Sequence, residues 1–179
     1  MTTTTDAVRR RRGPVVIGYD GSPAAERALA EAAALLGPRP ALVVVVWEAG
    51  RAFEAAEWAA LTLDTPAPTV DLRTAFELDQ AAYASAERTA HQGEGLARSM
   101  GLPAEALVVA DEVSVADTLI RVARERDSPA VIVGAHRHGA LSEVLLGSTS
   151  RDLVRHAHCP VVVIREGAEG TRRTDESRS

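Results

Sequence analysis

The stretch Val131–Ser150, VIVGAHRHGALSEVLLGSTS, indicates the class of fold more directly than any other part of the chain. It opens with an apolar run typical of a buried strand and continues as a polar loop that contains glycine. It ends on Gly147-Ser148-Thr149-Ser150, which predicts the start of a helix. A strand, a loop and a helix N-terminus in this order present backbone N–H groups to an anion. The pattern predicts a phosphate-binding loop, or alternatively residues that only turn the chain and cap the helix.

Other apolar runs predict four more strands, at Val15–Tyr19, Ala41–Trp47, Ala104–Ala110 and Val161–Ile164, beside Ala130–Gly134. The run Ala41–Trp47, ALVVVVW, shows no polar alternation and is rich in β-branched residues, which is typical of a central strand buried on both faces. Helical patterns separate the strands. The alternation predicts a doubly wound parallel sheet with right-handed connections and helices on both faces.

The order of the strands decides whether a ligand site can form. In the order 3-2-1-4-5, Asp20 and Gly134 follow neighbouring strands at the switch point, where ligands bind in such sheets. The order 2-1-3-4-5 would separate them. The residues alone do not choose between the two orders.

The longest helical pattern covers Asp71 to Met100. Gly93 and Gly95 should each weaken its last turns by about 1 kcal/mol relative to alanine. Its apolar residues recur at helical spacing and predict one buried stripe. The stripe consists of Leu72, Ala75, Phe76, Ala82, Tyr83, Ala86, Ala90 and Ala97.

Composition limits the possible partners and compartments. A net charge of −5 and a pI near 5.6 argue against nucleic acid as a partner. No apolar run is long enough to span a membrane, and the arginine-rich start lacks the apolar segment of a secretory signal. Cys159 is the only cysteine, which suits a reducing cytoplasm. We expect one domain over residues 13–166, disordered tails at 1–12 and 167–179, and a long loop at 48–70.

Three segments in the right order resemble the universal stress protein family. They are VVIGYDGS at 15–22, the 131–150 stretch, and DLVRHAHCPVVVI at 152–164. The nucleotide motif of that family is G-x2-G-x9-G-[ST]. Gly134 matches its first glycine and Gly147-Ser148 match its last pair, whereas Arg137 replaces the middle glycine.

The resemblance implies the 3-2-1-4-5 order, a cytoplasmic homodimer that pairs through the last strand, and binding of ATP, with Mg²⁺ as its counterion. It also implies site residues. Asp20 would hold the ribose hydroxyls, and the backbone of Val46 would contact the adenine. The phosphates and ribose would be held by Gly134, Gly147, Ser148, Thr149 and Ser150.

Arg137 has three possible effects on such a site. If its position requires φ > 0, a side chain there is strained by about 1–2 kcal/mol, and it could fill the space of a phosphate. A guanidinium can instead bind phosphate through two charge-assisted hydrogen bonds. The third interpretation is that Arg137 points to solvent.

Other chemistries find little support in the sequence. The chain contains no lysine, which excludes a Walker-type phosphate lysine. No carboxylate or cysteine pattern completes a metal site around the two His-x-His pairs. No general base or arginine finger is identifiable, so slow ATP hydrolysis is the most we expect. The main alternative to a nucleotide-binding regulator is a dimeric interaction or chaperone-like module of the same fold that binds no nucleotide. An adenylating enzyme of related fold is disfavoured, because the loop after the first strand is too short.

Overall fold

A computed structural model describes residues 12–50, 72–111, 113–135 and 147–165. The predicted tails, apart from Arg12, and residues 51–70 of the predicted loop lie outside these ranges. Strands and helices alternate along the chain. They are β1 (Val15–Gly18), α1 (Pro23–Leu36), β2 (Ala41–Trp47), α2 (Leu72–Ser99), β3 (Ala104–Ala110), α3 (Val115–Glu125), β4 (Val131–Gly134), α4 (Ser148–His156) and β5 (Val161–Ile164).

The five strands form one parallel sheet in the order β3-β2-β1-β4-β5. The predicted fold class is therefore confirmed, and the alternative order is wrong. β1 lies at the centre, with Val16 opposite Leu42 of β2 on one side and Val131 of β4 on the other. This places the ends of β1 and β4 side by side at the switch point of the sheet.

Helices cover both faces of the sheet and bury two separate cores. α1 and α2 pack on the face that carries Ile17 and Val43. α3 and α4 pack on the opposite face, which carries Val16 and Val44. The strands are rich in valine, isoleucine and leucine because helices cover both faces of the sheet.

Serine side chains begin two of the helices. The Ser22 hydroxyl accepts a hydrogen bond from the Ala25 amide at 3.1 Å, and Pro23 occupies the first helical position of α1. The Ser114 hydroxyl accepts one from the Asp117 amide, also at 3.1 Å, at the start of α3. One amide in the first turn of each of these helices is therefore capped by a serine side chain.

The predicted stripe of α2 is only partly buried. Ala75, Ala86, Ala90 and Ala97 are buried, but Ala82 is exposed, as are Phe76 (58%) and Tyr83 (40%). The prediction was wrong for these three residues because α2, with 28 residues, is about 42 Å long. A seven-residue strand such as β2 is only about 23 Å long. Tyr83 meets Trp47, the last residue of β2, with ring centroids 5.4 Å apart. The helical turns before Tyr83 therefore extend beyond the end of the strand.

Within the described ranges, no helix is both long and apolar enough to cross a membrane.

Candidate functional site

A cleft of about 370 Å³ opens at the carboxyl ends of β1, β2 and β4. Seven residues that the sequence predicts for the site line this cleft together: Asp20, Val46, Gly134, Gly147, Ser148, Thr149 and Ser150. The eighth, Arg137, lies outside the described residues. The cleft occupies the switch point between β1 and β4, on the side of the sheet that α3 and α4 cover.

Asp20 stands on a tight turn between β1 and α1. Its Oδ1 accepts a hydrogen bond from the Ser22 amide at 3.0 Å. Gly21 has a φ of +77°, a conformation that residues with a side chain rarely adopt. This turn fixes the backbone on both sides of Asp20 and leaves the side chain exposed at the edge of the cleft. Ordinary turn chemistry thus presents a carboxylate to the cleft.

The N-terminus of α4 differs from those of α1 and α3 because its N-cap residue is Gly147, which makes no side-chain hydrogen bond. The amides of Ser148, Thr149 and Ser150 have no carbonyl partner within their own helix. They lie at the positive end of the helix dipole, in the wall of the cleft. This is the arrangement that binds phosphate groups in other proteins.

Ser150 adds a second feature at the same place. The residue is only 4% exposed, and it lines the cleft. Its hydroxyl can donate a hydrogen bond to an acceptor oxygen of a ligand in the cleft.

Gly134 and Gly147 belong to the same motif but have different surroundings. A Cβ on Gly134 would lie 2.4 Å from the Ala24 carbonyl oxygen and 2.9 Å from the Ala25 nitrogen. Gly134 is therefore needed for the close packing of β4 against the first turn of α1. A Cβ on Gly147 would meet nothing within 4 Å among the described residues, and its φ of −55° suits any residue.

The remaining wall of the cleft is aliphatic. It includes Val46, as the sequence predicts, and four residues that are not among the predicted site residues, Val44, Val115, Leu119 and Val133. The sequence contains only a weak indication that these four residues line a site. Val44 shares a strand face with Val46, and Val115 and Leu119 lie in the first turns after a capped helix start. An apolar wall beside a polar helix N-terminus suits a ligand with a flat apolar part and an anionic part.

Tyr19 connects the cleft to the core under α1 and α2. Its ring is buried in that core, and its hydroxyl has no hydrogen-bond partner among the described residues. Burial raises the pKa of Tyr19 above its ordinary value, and the negative charges of Glu26 and Asp20 raise it further. The hydroxyl therefore stays protonated at neutral pH.

Replacing Tyr19 with phenylalanine should stabilise the protein by up to about 1 kcal/mol at neutral pH, because the change removes a buried polar group that has no partner. The raised pKa means that the folded state holds the proton more tightly than the unfolded state does. Stability is therefore lost as the pH rises above about 10, and this loss should be smaller in Y19F. Urea unfolding at pH 7.5 and 10.5 measures both effects. Y83F, at an exposed tyrosine, is the control and should not gain stability. A Y19F variant less stable than the parent at neutral pH would contradict this description.

The histidines and carboxylates offer no metal centre in the described ranges, where no group of three potential ligands is placed to hold a metal ion. His136 and His138 lie outside these ranges. His156 faces the end of its own helix, with Nδ1 3.1 Å from the Asp152 carbonyl oxygen.

The fold and the cleft define a doubly wound α/β protein with a candidate anion site at its switch point. The model of the universal stress protein family matches residues 12–165, and the chain therefore belongs to that family. The Rv2005c universal stress protein of Mycobacterium tuberculosis is 31% identical over 159 residues, which cover 87% of this chain and 48% of the relative. The chain thus spans about half the length of the curated relatives it matches.

Solved structures show the same fold. A universal stress protein from Archaeoglobus fulgidus is 25% identical, with a TM-score of 0.60 over 85% of this chain and 98% of that one. The structure of the universal stress protein from the same organism in complex with dAMP is also 25% identical, with a TM-score of 0.51. It covers 85% of this chain and 97% of that one. Structural relatives of this chain thus include a protein that binds an adenine nucleotide.

Proposed function

We propose that this protein binds an adenine nucleotide in the cleft and acts as a regulator rather than as an efficient enzyme. The observation that carries this proposal is that the α4 N-terminus without a side-chain cap, the buried Ser150 and the Asp20 carboxylate line one cleft. The amides of residues 148–150 would hold phosphate, and Asp20 would hold the ribose hydroxyls. The aliphatic wall, including Val46, would cover the base. The dAMP complex of a relative supports this class of ligand.

ATP is the nucleotide that the family resemblance names, with Mg²⁺ carried on its phosphates. Asp20 is the only carboxylate among the described residues that line the cleft. A lone carboxylate already bound to a turn amide is a poor general base, and slow hydrolysis is the most that we expect.

The protein would work in the cytoplasm as a homodimer paired through β5. This strand lies at the edge of the sheet, and all four of its residues are partly exposed. An unpaired apolar edge strand is a template for pairing with another chain. Nucleotide occupancy would then be read out through the dimer surface or through residues 48–70.

Calorimetry with AMP, ADP and ATP tests the proposal on the full chain. We expect saturable binding, and S150A should weaken it about tenfold, because one hydrogen bond to a charged phosphate is lost. The matched control is S85A. Ser85 is an exposed serine of α2 that does not line the cleft, so this variant should bind the nucleotides as tightly as the parent does. No heat with any of the three nucleotides at millimolar concentration would contradict the proposal.

The alternative is a dimeric interaction or chaperone-like module that has lost its ligand. Arg137, at the position of the middle glycine of the motif, favours this alternative. The variant R137G distinguishes the two functions. Binding that is present in R137G and absent from the parent would support the module.

A further inference from the structure

Among the described strands, β3 lies at one edge of the sheet, and such an edge offers backbone groups to a further strand. At its start, the Ala41 amide of β2 donates a hydrogen bond to the Pro103 carbonyl at 2.8 Å. At its end, the Asp111 amide donates one to the Trp47 carbonyl, also at 2.8 Å. Because backbone groups alternate in direction along a parallel strand, the odd-numbered residues of this stretch face β2. The groups of the even-numbered residues from Ala104 to Ala110 therefore point away from the sheet.

Two side chains from the last turns of α2 bind outward groups at the start of this edge. Arg98 Nε donates a hydrogen bond to the Ala104 carbonyl at 2.9 Å. The Glu94 carboxylate accepts one from the Ala106 amide. The two side chains also contact each other, with Arg98 Nη2 2.8 Å from Glu94 Oε1. One outward carbonyl and one outward amide are thus each bonded to a side chain of suitable charge.

The spacing of Glu94 and Arg98 follows from the way α2 leads into β3. Because β2 and β3 are parallel neighbours, the helix that connects them runs in the opposite direction. Four helical residues rise about 6 Å, and two strand residues advance about 6.6 Å. The two helical positions therefore match Ala106 and Ala104 along the strand, in reverse order.

An ion pair alone does not account for this arrangement. The Arg98 side chain is 58% exposed, and exposed ion pairs contribute little to stability. The hydrogen bond with His91, the charge of Arg98 and the Ala106 amide lower the pKa of Glu94, although burial acts in the opposite direction. The carboxylate therefore stays ionised at neutral pH and remains an acceptor for the strand.

We infer that Glu94 and Arg98 block strand pairing at the β3 edge, and that a second copy of this chain would pair with this edge if both side chains were removed. A strand that added there would have to displace both side chains from their backbone partners. The residues from Ala106 to Ala110 are apolar and partly exposed, so an open edge would offer apolar contact as well as hydrogen bonds. The inference rests neither on the proposed nucleotide site nor on pairing through β5.

Hydrogen exchange of the Ala106 amide tests the contact with Glu94. We expect this amide to exchange slowly in the parent and at least about tenfold faster in E94A, because one hydrogen bond to a charged group is lost. The Leu107 amide, which faces β2, is the internal control and should keep its rate. An unchanged rate at Ala106, or an equal acceleration of both amides, would overturn the inference.

Sedimentation velocity over a series of protein concentrations tests the consequence for association. E94A/R98A should form larger species than the parent, and their share should rise with concentration. The exchanged pair E94R/R98E should behave in the same way. It keeps an ion pair but puts a donor beside the Ala106 amide and an acceptor beside the Ala104 carbonyl. In the associated protein, the outward amide of Val108 should exchange more slowly than in the parent, because the added strand would bond to it.

The matched control is R121A/E125A, which removes an exposed pair of α3 whose Nη1 and Oε1 atoms are 3.1 Å apart. This variant should sediment like the parent. The inference would be overturned by a folded E94A/R98A that sediments like the parent, or by equal association of R121A/E125A. Circular dichroism establishes whether each variant is folded, and the exchange rates of the single variant E94A decide the matter if the double variant unfolds.

Discussion

Replacement of Gly134 with alanine should destabilise the fold by about 3 kcal/mol, at the upper end of the usual cost of overpacking, because the new contact is with backbone. The new Cβ would lie 2.4 Å from the carbonyl oxygen and 2.5 Å from the carbonyl carbon of Ala24. These atoms are backbone atoms in the first turn of α1, so no side-chain rotation relieves the contact. Urea unfolding followed by far-UV circular dichroism measures the loss.

The matched control is G147A, in the other glycine of the same motif. Open space surrounds Gly147 among the described residues, and its φ is negative, so the fold should lose little stability. A G134A variant as stable as G147A would contradict the close packing of β4 on α1. The comparison separates a glycine that the fold requires from one that only a ligand would require.

Replacement of Gly93 with alanine should cost about 2 kcal/mol, although alanine favours helices. A Cβ there would lie 2.7 Å from Cδ1 of the Tyr19 ring and 2.9 Å from Cγ1 of Val43. Both side chains are buried in the core under α2, so they can move only by disturbing their neighbours. Thermal or urea unfolding gives the size of the effect.

G95A, two residues further along the same helix, is the control for this prediction. A Cβ on Gly95 would meet nothing within 4 Å, and the substitution should stabilise the protein by up to about 1 kcal/mol. Equal effects of the two substitutions would mean that α2 does not pack on β1 and β2 as described. Because both residues lie in the same helix, only the difference in their packing gives the two stability changes opposite signs.

Strand positions and the alternation of strands and helices could be predicted from the sequence, because buried parallel strands and capped helices leave strong local signals. Ser22 and Ser114 cap their helices, and serine before a helical pattern is a typical N-cap signal. The strand order could not be deduced from the residues, since nothing in Asp20 or Gly134 indicates which strands are neighbours. The family resemblance supplied that order, and the structure confirms it.

Predictions failed where burial depends on the lengths of neighbouring elements. Phe76 and Tyr83 have helical spacing typical of a buried stripe, but the strands beneath α2 end at Trp47. The glycines show the same limit. Gly93 and Gly95 look alike in the sequence, and so do Gly134 and Gly147 as motif residues. Only their neighbours in space separate them, and such neighbours cannot be inferred from local pattern.

The central claim is that the first turn of α4 holds the phosphate of an adenine nucleotide. The most direct measurement is a titration of the ¹⁵N-labelled protein with AMP, followed through its backbone amide resonances. The amide resonances of Ser148, Thr149 and Ser150 should shift and reach saturation at the same AMP concentration. The resonance of the Asp117 amide, which the Ser114 side chain caps, should not shift. Unchanged resonances at residues 148–150 in millimolar AMP, or saturable shifts confined to another surface, would contradict the claim.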